Sequence, residues 1–307
     1  MTSFASIWWM LSIAGRISCA AFAVSEPVAV SRVACQAHTV YPQDARIAEI
    51  RRVAARAREA IAAESQLEAE ALVATDDAPL FDSRCSIYDG LYNQPLLDAV
   101  YDEVSGHTVL GYRNARDHMY GLREPVIDIF DGRIECVYTG RLAVPDGTRT
   151  PEGMNTEHTW PQSKGSREEP ARSDIHHLFI TDEKVNSRRQ NYEYGNTRCN
   201  DPGAVECRWE GPDHSESPSQ LGFDERGEPV FEVRSERRGD IARSQFYFAA
   251  RYNMPIGPHT EKVLRTWHEE DPPDARENER NRRIELVQGN RNPFVDCPDI
   301  VERIADF

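Results

Sequence analysis

The most constraining feature of this chain is a change of hydrophobic period inside one short stretch, SDIHHLFITDEKVNSRRQNYEYG, Ser173 to Gly195. Apolar residues from Ile175 to Ile180 suit a short strand. Thr181 then stands as a candidate N-cap, with Asp182 and Glu183 in the first turn, where the positive end of the helix dipole favours carboxylates. The remainder reads as a helix to about Asn191, bounded by Gly195. Upstream, MNTEHTWPQSKG places Glu157 beside His158 at the end of a further extended segment. The order is therefore strand, loop, strand, helix, and it brings His158 and Asn186 to one cleft although they are far apart in sequence.

Side chains of neighbouring strand residues diverge, so Glu157 and His158 are predicted to be two separate tools rather than one contacting pair. A carboxylate and an amide carbonyl are hard oxygen donors, which suits magnesium with waters and a substrate phosphate completing its shell, and suits zinc less well. Glu157 and Asn186 are accordingly the candidate metal ligands. His158 is left free for acid–base work.

The rest of the chain bounds this reading. The first residues, MTSFASIWWMLSIAGRISCAAFA, combine an apolar run with small residues ending in Ala21-Phe22-Ala23, as a secretory signal cleaved near Ala23 does. The run is too short to span a bilayer, although its n-region has no Lys or Arg and a retained anchor is the competing reading. Cleavage would remove Cys19 from the seven cysteines, leaving Cys35, Cys85, Cys136, Cys199, Cys207 and Cys297. An even set in an oxidising compartment points to disulfides. Cys199 and Cys207, flanking a short polar loop, are the first candidate pair; buried free thiols are the alternative. The net charge of −15, from 51 acidic and 36 basic residues, excludes a protein coated with positive charge. Any site for a polyanion has to be local.

From Tyr41 to about Ala74 an Ala/Glu/Arg-rich stretch has helical spacing and breaks at Thr75-Asp76-Asp77-Ala78-Pro79. Beyond it, LLDAVYDEVSG reads as a helix, VIDIFDG and IECVYTGR as strands, and residues 200–229 as loop. Three helices follow: GDIARSQFYFAARYN, buried; TEKVLRTWHEEDPP, stopped by Pro272 and Pro273; and DARENERNRRIELVQG, with Asp274 and Glu277 at capping-box spacing and Gly289 as its end.

These segments resemble the endonuclease I family of bacterial periplasmic and secreted nucleases, members of the His-Me finger (ββα-metal) class. The resemblance runs in consistent order from about Cys85 to Val301 through SGHTVLGYRNARDHMYG, CVYTGR, NTEHTWPQSKG, SDIHHLFITDEKVNSRRQN, RGDIARSQFYFAARYN and WHEEDPPDARENERNRRIELVQGNRNPF. It implies an α+β fold, mainly helical with a small β-sheet and a ββα-metal active-site motif. It divides the chain into a signal over 1–23, a helical extension over 24–80 and a nuclease domain over 81–307. By the same resemblance His158 is the general base, Glu157 and Asn186 hold one Mg2+, and His177 supports the site by hydrogen bonding. His176, Arg189 and Asn191 also match the family's pattern.

One departure is evident. The best-known periplasmic relatives carry a longer, cysteine-containing loop that supplies an arginine to the scissile phosphate. Here the loop is the short SKGSREEPARS, which leaves Arg167, Arg172 and Arg189 as candidates, with Lys164 and Asn191 as further substrate contacts.

The implied function is an exported, Mg2+-dependent endonuclease that cleaves DNA, and RNA as a second substrate, without regard to sequence, as a monomer not stably bound to a membrane. Two readings compete with it: a zinc enzyme using His158, His176, His177, Cys199, Cys207 or His214, and a noncatalytic secreted module that binds nucleic acid or a surface. The zinc reading lacks any H-E-x-x-H or C-x-x-C pattern.

Overall fold

The computed structural model describes residues 83–201, 207–211 and 218–307. The signal with its cleavage point near Ala23, the extension over 24–80, Cys35 and His214 lie outside the described residues. The architecture is α+β. The helices are α1 (Asn93–Val104), α2 (Tyr112–Met119), α3 (Glu183–Arg189), α4 (Arg238–Tyr252), α5 (Pro258–Glu270), α6 (Ala275–Gln288) and the short α7 (Pro293–Asp296). Three small sheets accompany them. One is antiparallel, in the order β1 (Ile129–Phe130), β2 (Arg133–Glu135), β3 (Leu142–Ala143). The second is the antiparallel pair β4 (Met154–His158) and β5 (Leu178–Asp182). The third has the order β6 (Glu193–Tyr194), β9 (Pro229–Glu232), β8 (Gln220–Phe223), β7 (Trp209–Glu210), with β6 and β9 parallel.

Helix α4 is the centre of the core. Gly239 through Arg251 are all buried, as expected of a helix that is covered on every side. Its first turn approaches the end of α5 so closely that a Cβ on Gly239 would sit 1.8 Å from the carbonyl oxygen of Asp271, so only glycine fits. The polar residues of α4 are matched from outside: Arg243, fully buried, is paired with Glu277 of α6, and Thr159, just past β4, bonds the Ser244 hydroxyl at 2.7 Å. Trp160 stacks on Phe248 with ring centres 4.7 Å apart. The end of β4 is therefore anchored directly to the core helix.

Several expectations change in detail. Ile175 to His177 form a 3-10 turn, and the strand begins only at Leu178. Its cap is Asp182, whose side chain accepts from the Lys184 amide at 2.9 Å; Thr181 is buried inside the strand. Helix α3 stops at Arg189, two residues early, because Gln190 adopts a positive φ of 52°. The stretch 200–229, read as loop, contributes β7, β8 and the first residue of β9. The third helix is capped as read: Asp274 accepts from the Glu277 amide, and Gly289 takes φ 78° beyond the last turn. The charged ENERNRR face is structural, with Arg280 paired to Asp128 and Arg283 to Glu279.

Cys199 and Cys207 are disulfide-bonded, as the spacing suggested, and Cys85 is joined to Cys297 across 212 residues. Cys136 is a buried free thiol. Among the described residues no helix is long and apolar enough to cross a membrane.

Two core imidazoles carry a pH consequence. Burial pushes His176 down from 6.5 to about 4, partly opposed by Asp174. Burial and then the Arg243 charge take His268 from 6.5 to about 4. At these two positions the unfolded chain therefore binds more protons than the folded one between pH 6.5 and about 4. The stability these groups contribute is complete above that pH and is lost as the pH falls towards 4, by a few kcal/mol per imidazole, on the order of 1.4 kcal/mol per pKa unit. The His176 and His268 ring resonances are expected to keep their neutral positions as the pH falls from 6.5 towards 4, and protonation of either ring near pH 6.5 in the folded protein would contradict neutral buried imidazoles.

Candidate active site

Strand β4 runs antiparallel to β5 with Glu157 opposite Phe179 and His158 opposite Leu178, and β5 passes straight into α3. An open cleft of about 510 Å³ lies against this unit. Glu157, His158, Asn186, Arg167 and Asn191 line it, together with Tyr112, Gln162 and others. The separated pieces read from the sequence thus converge. Asn186 is tied to the strand by its side-chain amide, which donates to the Thr156 carbonyl at 3.3 Å.

His158 is held in one tautomer. Its Nε2 lies 3.1 Å from the carbonyl oxygen of Arg172, which can only accept, so Nε2 carries the proton. Nδ1 keeps its lone pair and accepts from the Gln162 amide at 3.3 Å. Burial, first, then the neighbouring His177 ring and the charges of Arg172 and Arg116 push the imidazole down to about 3, partly opposed by the hydrogen bond to the Arg172 carbonyl. The ring is neutral over the whole ordinary pH range.

Glu157 is buried, 2 % exposed. Its Oε1 takes the Tyr138 hydroxyl at 2.9 Å and the Arg189 guanidinium at 3.0 Å. Burial raises its carboxyl above the usual range, while Arg189 and the Tyr138 hydroxyl oppose that shift.

The remaining candidates separate. Arg167 is exposed and lines the cleft. Arg172 is also exposed, with its guanidinium 5.2 Å from the Tyr112 ring centre. Arg189 also lines the cleft but is only 2 % exposed, and beyond Glu157 it donates to the carbonyl of Thr159 at 2.8 Å. Such a placement does not match a guanidinium that reaches for a phosphate in solvent. Lys164 is ion-paired with Glu193 and is not among the residues lining the cleft. His177 is fully buried behind the site; its Nε2 donates to the Ala171 carbonyl at 2.6 Å and its ring lies 5.4 Å from that of His158. It supports the loop rather than facing the cleft. His176 is likewise buried, against Tyr247 and the Asn290 carbonyl.

Tyr112, Gln162, Tyr138 and Tyr194 are site residues that the sequence reading gave no role. Gln162 was visible in principle, four residues after His158 in the quoted motif. The tyrosines come from other elements and nothing in their local sequence marks them.

The donor set suits a hard cation held by few protein groups. Among the described residues no cluster of three or more His, Cys, Asp or Glu could hold a metal ion. The cleft-lining residues include two oxygen donors suited to a hard cation, Glu157, whose Oε2 has no hydrogen bond among the described residues, and the Asn186 amide. Magnesium characteristically accepts such a set, one carboxylate and few other protein donors, with water and substrate phosphate as the rest. The zinc alternative loses Cys199 and Cys207 to their disulfide.

Comparison with known proteins bears on the whole domain. Residues 101–299 match the family Endonuclease I. The chain is 30% identical over 231 residues to an extracellular ribonuclease of Bacillus amyloliquefaciens, covering 68% of this chain and 73% of that protein. It is 29% identical over 238 residues to an extracellular ribonuclease of Bacillus subtilis (strain 168), covering 70% and 76%. An extracellular deoxyribonuclease of Aeromonas hydrophila is 32% identical over 123 residues, 40% of this chain and 49% of that protein. With the family match spanning most of the described domain, including β4, β5 and α3, this chain belongs to the endonuclease I family.

Proposed function

We propose that this protein is an exported, divalent-cation-dependent endonuclease that hydrolyses phosphodiester bonds of DNA and RNA, with β4, β5 and α3 as a ββα-metal active site. The observation that carries the reading is the state of His158: neutral, fixed in one tautomer, its Nδ1 lone pair presented at a cleft beside Glu157 and Asn186.

In this reading His158 Nδ1 takes the proton of an attacking water that replaces the long bond from Gln162. The imidazolium that forms remains bonded to the Arg172 carbonyl through Nε2. A phosphodiester entering the cleft brings negative charge against Arg172 and Arg116, whose positive charge helps to hold the imidazole down, so substrate itself makes the base stronger. Glu157 through Oε2 and Asn186 through Oδ1 would hold one Mg2+, which when bound neutralises charge developing on the phosphate and the leaving oxygen. Arg167, exposed at the cleft, is the proposed phosphate contact, and Arg172 flanks it. Contacts to phosphate carry no sequence information, which fits cleavage without a preferred site. With an overall charge of −15, binding of a polyanion would depend on local positive charge, from Arg167 at the cleft and from Arg172 and Arg116 near His158.

Relatives named as ribonucleases align over 231 and 238 residues and one named as a deoxyribonuclease over 123, which supports RNA as a substrate on equal terms with DNA. Export is supported by the apolar N-terminal segment, the disulfides and relatives named as extracellular. Supercoiled plasmid and a structured RNA, incubated with the purified protein, are expected to be cut in Mg2+, left intact in EDTA, and cut again when excess Mg2+ is restored. Binding of both nucleic acids without cleavage in any divalent cation would favour a noncatalytic module instead.

A further inference from the structure

We infer that Tyr138 and Tyr194 are positioning residues for Glu157: Tyr138, backed by Tyr194, occupies one carboxylate oxygen together with Arg189 and leaves the other as the one Glu157 oxygen that can join Asn186 in holding a divalent cation. This inference rests on the nuclease reading of the cleft.

The geometry is a closed chain of hydrogen bonds. The Tyr138 hydroxyl donates to Oε1 of Glu157 at 2.9 Å, and Arg189 reaches the same oxygen at 3.0 Å. An oxygen with two lone pairs is saturated by those two donors. The Tyr138 and Tyr194 hydroxyls are 2.7 Å apart. Since the only hydroxyl proton of Tyr138 is directed at Glu157, Tyr194 is the donor in that contact, and it strengthens the Tyr138 bond by polarising it. The Arg189 guanidinium lies 4.6 Å from the Tyr194 ring centre, within cation–π range.

Four elements meet here. Tyr138 follows β2 in a segment that bonds to β5 through the Val137 amide and the Ile180 carbonyl, and its own carbonyl accepts from Ser219. Tyr194 lies in β6, opposite Phe231 of β9. Arg189 ends α3, and Glu157 lies in β4. Tyr138 and Tyr194 are buried, at 0% and 1% exposure, so neither touches substrate. A buried tyrosine hydroxyl needs some partner, and ordinary core packing would be satisfied by any acceptor. The particular choice made here is the one carboxylate that also lines the cleft. Its consequence is chemical: Glu157 cannot turn to chelate through both oxygens, so a small cation bound in one-oxygen fashion, retaining several waters, is favoured over a large one bound through two.

The test uses Tyr138→Phe and Tyr194→Phe, which keep the rings and remove only the hydroxyls. Mn2+ is titrated into the substrate-free protein and free Mn2+ is followed by electron paramagnetic resonance, with thermal melting recorded in parallel. The expected result is a 10- to 100-fold weaker Mn2+ dissociation constant for Tyr138→Phe, the range typical for removal of a group that orients a metal ligand. Tyr194→Phe should shift it in the same direction by less, and turnover of Tyr138→Phe on plasmid DNA should recover when Mg2+ is raised in proportion. A lowered melting temperature with an unchanged Mn2+ constant would reduce the tyrosines to core packing and overturn the inference. Wild-type protein that shows no Mn2+ site sensitive to Asn186→Ala, and whose nucleolysis ignores chelator, would instead remove the nuclease reading on which it stands.

Discussion

His158→Ala protein is expected to fold like its parent and to lose about 100- to 10,000-fold in turnover, the range ascribed to a positioned general base. The loss falls mainly on chemistry because the ring, although buried, lines the cleft and its partners keep other contacts. It is bonded to a backbone carbonyl and a cleft-lining amide, and its neighbours Tyr112 and His177 are held by other contacts. Initial rates on supercoiled plasmid and on RNA should fall together, since the proton acceptor is the same for both sugars. Circular dichroism melts and Mn2+ binding should change little. Added imidazole, small enough to enter the cleft left by the deleted ring, should restore part of the rate. A variant retaining full activity with intact disulfides would remove His158 from the mechanism.

Arg189→Ala is expected to fail differently, by instability. The substitution leaves the Glu157 carboxylate, 2 % exposed, without its counter-charge, and strips donors from the carbonyls of His158 and Thr159. Breaking a buried pair in this way typically costs about 3–5 kcal/mol. Denaturant melts should show that loss in the absence of any substrate. The double variant Arg189→Met with Glu157→Gln should recover a substantial part of it, because the charge that had been stranded is removed as well. An arginine whose task was to contact the scissile phosphate would give the opposite pattern, with stability unchanged and KM or kcat impaired. The single and double melts therefore decide between the two roles for Arg189.

What could be read from sequence follows from how local each signal is. Caps and stops of α6 are written in adjacent residues, Asp274 with Glu277 and Gly289, and they appear in the structure as read. The order of β4, β5 and α3 was legible because a change of period is visible over a dozen residues. The exact start of β5 was not, since Ile175, His176 and His177 turn in a 3-10 arc that mimics an apolar strand in composition. Strands β6 to β9 are only two to four residues long, too short for alternation to register, and they lie in or beside a stretch dominated by turn formers. Helix α2, YRNARDHM, is so polar that nothing distinguishes it from loop. The placement of Arg189 was the hardest to foresee. Whether an arginine reaches outward or inward depends on a carboxylate 32 positions away and two tyrosines on other elements, and no local pattern records that.

The bond between Cys85 and Cys297 closes nearly the whole described domain into one covalent ring of chain. A protease that severs any single peptide bond between those two cysteines opens the ring but does not divide the molecule, and the two pieces stay joined at the sulfurs with their packing available to hold them in register. For a protein proposed to work outside the cell among other hydrolases, the first cut is thus not the fatal one, and its working lifetime is set by the second.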